Sequence, residues 1–218
     1  RELGFQPNPH AQRLVSGHNN VVGMFCPGPE VGAAQEKNLL VQRLLDERGY
    51  EVPMYSSGVL GGERVRAQIA SLERLCRQRP RVLVCSTLNL CDDALEVLAR
   101  YQESGGTLVC YDVPVALPCD QVVFDREDNT YQTAKHLLEL GHRDIGLYLV
   151  ERDNPSLRAA HPRYEGFARA LQEHGVEPNP AWIFHGWWSE EDGARLAEQF
   201  SSLPKRPTAM SVVNESVA

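Results

Sequence analysis

The sequence predicts an α/β fold in two lobes, each a parallel sheet covered by helices. Three observations predict it. From Asn20 onward, short apolar runs of strand length alternate with amphipathic stretches of helical spacing, the pattern left by parallel strands joined through helical crossovers. Five strand runs precede Asp125 and three follow it, with no low-complexity tract between them. The chain has 218 residues, 42% hydrophobic and 23% charged, a globular composition with length for one large or two small cores.

Taken in order, the first element is a short helix. Leu3 to Leu14 reads LGFQPNPHAQRL, with Asn8 as N-cap, Pro9 at the first helical position and Gly17 just past the end, each residue type suited to its place. Ala11, Leu14 and Val15 share one face, and His10 and Arg13 lie beside it. Two turns of helix are marginal alone in water, so order there requires something to pack against. That partner is either the lobe beneath it or a DNA minor groove, where an inserted leucine kinks a base step.

The strand runs of the first lobe are Val21 to Cys26, Glu51 to Tyr55, Val82 to Cys85, Thr107 to Tyr111 and Val122 to Phe124. Between them, Leu40, Val41, Leu44 and Leu45 mark a helix ending before Gly49, and Val65, Ile69, Leu72 and Cys76 stripe a second. A third carries Ala94, Val97, Leu98 and Tyr101 at i, i+3, i+4 and i+7, with Asp92 and Asp93 at its start and Gly105-Gly106 at its end, a complete set of start and stop signals.

The Asp125-Arg126-Glu127-Asp128 run opens the next helix, whose apolar positions are Tyr131, Ala134, Leu137 and Leu138. Negative charge at a helix N-terminus complements its dipole, which accounts for this run without acid-base chemistry. The second lobe continues with strands Ile145 to Val150, Trp182 to Phe184 and Ala209 to Val213. A helix bearing Tyr164, Phe167, Ala168 and Leu171 is closed by Gly175, and Asn214 to Ala218 reads as the first turn of another. The expected organisation is a linker and short helix over residues 1–17, one lobe over 18–125 and a second, partial lobe over 126–218.

Composition excludes several functions. The net charge of −7 and pI near 5.5 leave no broad basic footprint for nucleic acid, so any DNA contact must be local. No apolar run approaches the roughly 20 residues of a membrane span. Six cysteines lack Cys-x-x-Cys or other metal-ligand spacing, which argues against zinc and, with Cys26, Cys85 and Cys110 in apolar runs, for reduced core residues in a reducing cytoplasm. There is no His-Glu-x-x-His, no Gly-x-Ser-x-Gly, no Walker loop and no Gly-x-Gly-x-x-Gly. The reading therefore assigns no catalytic residue, no cofactor and no metal. Gly58 and Gly61-Gly62 form a turn, read as a simple loop rather than an anion site.

Ligands of open α/β sheets bind outside the carboxyl ends of the strands. Here those positions are Pro27-Gly28, Ser56-Ser57, Ser86-Thr87 and Asp112 in the first lobe, and Gly186-Trp187-Trp188 and Asn214-Glu215 in the second. A cleft facing both lobes would collect them.

Four segments in order resemble the LacI/GalR family of bacterial transcription regulators: LGFQPNPHAQRL, HLLELGHRDIGLY (His136 to Tyr148), RYEGFARAL (Arg163 to Leu171) and RPTAMSVVNESVA (Arg206 to Ala218). The resemblance implies a two-lobe periplasmic-binding-protein-like type I fold with an incomplete second lobe, a DNA-binding head upstream and a C-terminal remainder that returns to the first lobe. By the same resemblance Leu14 is the hinge leucine that wedges into an operator, with Ala11 and Arg13 on the same hinge helix. Asp112, Arg163 and Asn214 match effector-binding positions, and Trp188 a position that stacks on a sugar ring. Glu215 stands where the family usually has Asp, and Asn129 where it often has Gly.

An acceptor, a fork of donors and an amide suit vicinal hydroxyls, and Trp188, Trp187 or Trp182 could offer an apolar platform. A sugar is the first expectation, and a nucleobase remains open. The function expected is an effector-responsive, homodimeric repressor that binds an operator and a small molecule, with no membrane partner. A periplasmic sugar-binding protein of a transport system is the alternative. An enzyme using Asp112 or Asp125 would need a nucleophile or metal that the sequence does not offer.

Overall fold

A computed structural model describes residues 20–28, 32–57, 63–150, 162–187 and 189–218. The short helix with Ala11, Arg13 and Leu14, the Gly58 to Gly62 turn and Trp188 lie outside the described residues. The chain divides into two compact units between Phe124 and Asp125.

The first unit holds β1 (Val22–Cys26), α1 (Gly32–Asp46), β2 (Met54–Ser56), α2 (Arg64–Arg77), β3 (Val82–Ser86), α3 (Asp92–Glu103), β4 (Thr107–Asp112) and β5 (Asp120–Val123). Its sheet is parallel throughout, in the order β2-β1-β3-β4-β5. The central strands read as near-continuous apolar runs because helices cover the sheet. Phe25, Leu83, Cys85, Leu108 and Cys110 meet Leu72 and Leu75 of α2 and Ala94, Val97, Leu98 and Tyr101 of α3 in one core. The four positions predicted for α3 are the four it buries.

Two other helices depart in part from the predicted faces, although Ile69, Leu72 and Cys76 of α2 do pack on the core. In α2 the buried residues are Gln68, Leu72 and Leu75, and Val65 is exposed. In α1 the buried residue is Asn38, while Leu39, Leu40 and Leu44 are 47%, 45% and 39% exposed. The α1 leucine stripe therefore points away from the sheet, and the inward face runs from Lys37-Asn38 through Val41 to Leu45.

The second unit holds α4 (Arg126–Glu139), β6 (Ile145–Val150), α5 (Pro162–Glu173), β7 (Ile183–Gly186), α6 (Glu190–Ser202) and β8 (Ala209–Val212), with parallel strand order β7-β6-β8. Central β6 is buried on both sides. Ile145, Leu147 and Leu149 pack with Ala134, Leu138, Phe167, Ala170 and Leu171, and Tyr148 packs with Trp182, Phe184, Leu196 and Val217. Trp182, predicted in a strand, ends a 3₁₀ turn instead, because Asn179 caps that turn and Pro180 starts it. Its indole N–H donates to the Lys205 carbonyl at 3.1 Å.

Asp125 caps α4 by accepting the Asp128 N–H at 2.8 Å, which accounts for the acidic run as a helix start. The face of α5 is set by closeness rather than by bulk. Phe167 and Leu171 are buried as the spacing predicts, but Gly166 and Ala170 join them while Tyr164 is exposed. A Cβ on Gly166 would overlap the Glu127 carbonyl oxygen of α4. Around this approach Arg169 pairs with Glu127 and stacks 4.5 Å from the Tyr131 ring, and Tyr131 donates to Glu173 at 2.6 Å.

Gly166→Ala is expected to force α4 and α5 apart and cost about 2 to 3 kcal/mol. The urea midpoint measures it, and a loss below about 0.5 kcal/mol would show that the two backbones are not held this close.

Candidate functional site

At the carboxyl end of β4, Asp112 takes φ 100°, a conformation that costs a non-glycine residue about 1 to 3 kcal/mol and persists only where neighbours impose it. Thr87 imposes it from the end of β3. Its backbone N–H donates to the Tyr111 carbonyl at 2.9 Å. Its Oγ1 lies 2.8 Å from that carbonyl and 2.6 Å from the Val113 carbonyl, and accepts the Val113 N–H at 2.8 Å. The Asp112 carbonyl in turn accepts the Phe124 N–H at 3.2 Å. The bend at Asp112 is thus bonded on both sides.

The Asp112 side chain is 3% exposed and forms an ion pair with Lys37, whose side chain is 24% exposed. Burying a carboxylate is costly unless a cation and hydrogen bonds compensate it. The Lys37 ammonium also stands 5.3 Å from the Tyr111 ring centre and 5.1 Å from that of Phe124, within cation–π range. The next residue of α1, Asn38, accepts the Tyr111 hydroxyl. Two consecutive α1 residues thereby hold two consecutive β4 residues, and the result is a carboxylate, an ammonium and two aromatic rings at one strand end.

The neighbouring strand ends are tied down by Gln68, which is fully buried. Its amide N–H groups reach the Pro27 and Asn89 carbonyls at 2.7 and 2.9 Å, and its carbonyl accepts the Cys91 N–H at 2.9 Å. Ser56 donates to the Gly28 carbonyl at 3.1 Å and Ser57 to that of Pro27 at 2.5 Å. Sequence reasoning found Asp112 and the strand-end serines but missed Lys37, Asn38 and Gln68. Polar residues one turn from a leucine stripe look like the solvated face of a helix, and only the buried Asp112 reverses that reading.

In the second unit, β7 ends at Gly186, where a Cβ would overlap the Tyr148 hydroxyl. That hydroxyl donates to the Trp187 carbonyl at 2.7 Å. Ser189 then starts α6 through reciprocal bonds with Asp192, at 3.2 Å into Ser189 Oγ and 3.1 Å from the Ser189 N–H. Burial alone would raise the Asp192 pKa, but the Ser189 hydroxyl, the Ser189 and Trp187 N–H groups and Arg195 hold it below the usual carboxylate range. Trp187 is 38% exposed between these two fixed points.

Arg163 stands in the first turn of α5 and donates to Asn129 Oδ1 at 3.4 Å. Asn214 follows β8; its Oδ1 accepts the Ser216 N–H at 2.9 Å and its carbonyl the Val217 N–H at 3.3 Å, which makes residues 214–217 a turn. Glu215 is exposed on that turn. Among the described residues no group of three or more His, Cys, Asp or Glu is placed to hold a metal ion, and no helix is long and apolar enough to cross a membrane.

Comparison with known proteins places this architecture. Residues 35–218 match the family of periplasmic binding proteins and sugar binding domain of the LacI family. The HTH-type transcriptional repressor PurR of Haemophilus influenzae strain Rd is 26% identical over all of this chain and 62% of its own length. The chain thus spans under two thirds of that relative. Among solved structures, the Lac repressor dimer bound to operator and the anti-inducer ONPF superposes with a TM-score of 0.79 at 24% identity, over 99% of this chain and 72% of that one. The Cra regulator of Pseudomonas putida in complex with fructose 1-phosphate gives 0.71 at 22% identity, over 92% and 72%. With parallel sheets, flanking helices and a family match across most of its length, the chain belongs to the LacI/GalR family and carries its periplasmic-binding-protein-like domain.

Proposed function

We propose that this chain is the effector-binding part of a DNA-binding transcriptional repressor, and that its effector is a small polyhydroxylated molecule, a sugar before a nucleobase. The observation that carries the effector reading is the strand end at Asp112, where a buried carboxylate and an ammonium stand beside two aromatic rings. Each hydroxyl of a sugar both donates and accepts, so an acceptor next to a donor satisfies it fully. The rings supply apolar faces for C–H groups. Arg163, Asn214, Trp188 and Glu215 complete the proposed effector set, and Lys37 joins it. A solved neighbour bound to fructose 1-phosphate supports the ligand class.

The repressor reading rests on the named repressors among its relatives, which also weigh against the transport alternative. Ala11, Arg13 and Leu14 are the proposed DNA contacts of a hinge helix, coupled to the effector by a difference in affinity between two states. We assign a cytoplasmic homodimer, whose two-fold symmetry matches a palindromic operator. The outward leucines of α1 supply apolar surface for it.

Three outcomes are expected. In a thermal-shift screen of the intact protein against sugars and nucleosides, a binder at about 100 times its Kd adds about 2.7 kcal/mol of stability. Arg163→Ala removes that shift while the fold is retained; a shift that survives both Arg163→Ala and Asp112→Ala defeats the effector reading. Leu14→Ala weakens operator binding by full-length protein at least about tenfold, as loss of an inserted wedge should, and an unchanged Kd refutes the hinge assignment. Lys37→Met alone leaves Asp112 buried without its cation and costs about 2 to 3 kcal/mol. The double change Lys37→Met with Asp112→Leu recovers part of that loss in urea unfolding, and strict additivity of the two single changes would mean that the pair is not coupled.

A further inference from the structure

The sheet of the second unit ends one residue before Trp187. Gly186 is the last residue of β7 in register with β6, opposite Val150. Both backbone groups of Trp187 are bonded nonetheless. Its N–H donates to the Asp192 carboxylate, and its carbonyl accepts the Tyr148 hydroxyl at 2.7 Å. Side chains from α6 and β6 thus do for Trp187 what a neighbouring strand does for a residue inside the sheet.

Asp192 serves more than the start of α6. Its side chain is 3% exposed, and a carboxylate so buried needs several donors. Reciprocal bonds with Ser189 through Oδ2 complete the helix start, and Arg195 pairs with Oδ1. The bond from Trp187 lies outside that capping motif, upstream of the N-cap. The strand end is close as well: a Cβ on Gly186 would stand 3.3 Å from Asp192 Oδ1.

The next residue of α6 extends the contact to β8. A Cβ on Gly193 would stand 2.8 Å from the Val217 carbonyl oxygen, so α6 and the turn over residues 214–217 meet backbone to backbone. Val217 is buried and packs with Tyr148, Trp182, Phe184 and Leu196. Asn214 closes the turn by accepting the Val217 N–H on its carbonyl at 3.3 Å. One turn of helix therefore touches the carboxyl ends of both β7 and β8. Tyr148 of central β6 joins them, with its hydroxyl on Trp187 and its side chain in the same cluster as Val217.

We propose that Asp192 is a positioning residue for ligand contact at these strand ends: it fixes Trp187 as a prepared aromatic surface and, with Gly193 beside it, seats the turn that carries Asn214. The proposal rests on the effector reading of Asn214 and brings Trp187 into it. Trp182 is a core residue, whereas Trp187 keeps 38% of its surface exposed and so has area to offer a ligand. An aromatic face takes the apolar face of a ring-shaped molecule. Fixing its backbone beforehand lowers the ordering cost of binding.

Amide hydrogen exchange of the full-length protein without ligand, resolved residue by residue, tests the positioning. In the wild type the Trp187 amide is expected to exchange at least about 100-fold more slowly than in an unstructured peptide. Asp192→Ala should remove about tenfold or more of that protection and also speed exchange at Val217. Ser189→Ala, which removes the cap but keeps the carboxylate, should speed the first turn of α6 and leave Trp187 protected. Asp192→Asn, of the same shape without the charge, should give the same ordering in smaller measure and serves if Asp192→Ala does not fold. An unprotected Trp187 amide in the wild type overturns the proposal. Equal loss at Trp187 in Ser189→Ala and the Asp192 variants also overturns it, since Asp192 would then be a helix cap alone. Contact is read in the thermal-shift screen of sugars and nucleosides, where Trp187→Ala should lose the shift shown by the wild type. A full shift in Trp187→Ala defeats the contact, while the absence of any shift in the wild type defeats the effector reading instead.

Discussion

A carboxylate with 3% of its side chain exposed cannot keep its charge without a cation beside it, and at Asp112 that cation is Lys37. Much of the first unit follows from meeting this requirement. Lys37 can reach Asp112 only if α1 turns its 37–38 edge toward β4, and Asn38 uses the same turn to receive the Tyr111 hydroxyl. A helix that presents these two residues inward must present Leu39, Leu40 and Leu44 elsewhere, and they are exposed. The strained φ of Asp112 belongs to the same arrangement, because Thr87 holds the backbone on either side while Lys37 holds the side chain.

The second unit obeys a constraint of distance. Both faces of β6 are covered, so α4 and α5 must share one side of a narrow sheet. Gly166 lets them approach until backbone meets backbone at Glu127. The ion pair and ring stack of Arg169 then close over the seam. At the carboxyl end of β7 a second glycine, Gly186, yields its place to the Tyr148 hydroxyl and so fixes where Trp187 begins. Absence of a side chain, in both cases, positions the residues that have one.

Strands were the legible part of this fold. The runs at β1, β4 and β6 are apolar because they are covered on both faces, and their positions follow from the sequence to within a residue or so. Helix existence was legible as well, and helix orientation was legible in α3, where Ala94, Val97, Leu98 and Tyr101 are all buried, and in α4, where Ala134 and Leu138 are buried and Tyr131 and Leu137 pack against them. In α2 a buried Gln68 takes a place that hydrophobicity gave to Val65, because three strand-end loop groups need its amide. In α5 a glycine does so, because closeness counts there for more than area. The candidate site divides the same way. Asp112 stands at a strand end and could be named from topology. Lys37 could not, since its role depends on a burial at position 112 that no local pattern encodes. Trp182 was misplaced because a capped Asn-Pro turn competes with a strand signal and prevails.

The outer edge of β5 carries a consequence for anyone handling the domain. It is the last strand of its sheet among the described residues, and Val122, Val123 and the adjoining Phe124 are 60%, 47% and 49% exposed. An edge with open backbone groups and apolar side chains is a template for strand addition. Its side chains include neither a lysine nor a proline that would discourage pairing. Preparations of this stretch of chain will therefore have their colloidal behaviour set by β5: self-association through sheet extension, rising with concentration, and relieved by a single charge placed at Val122.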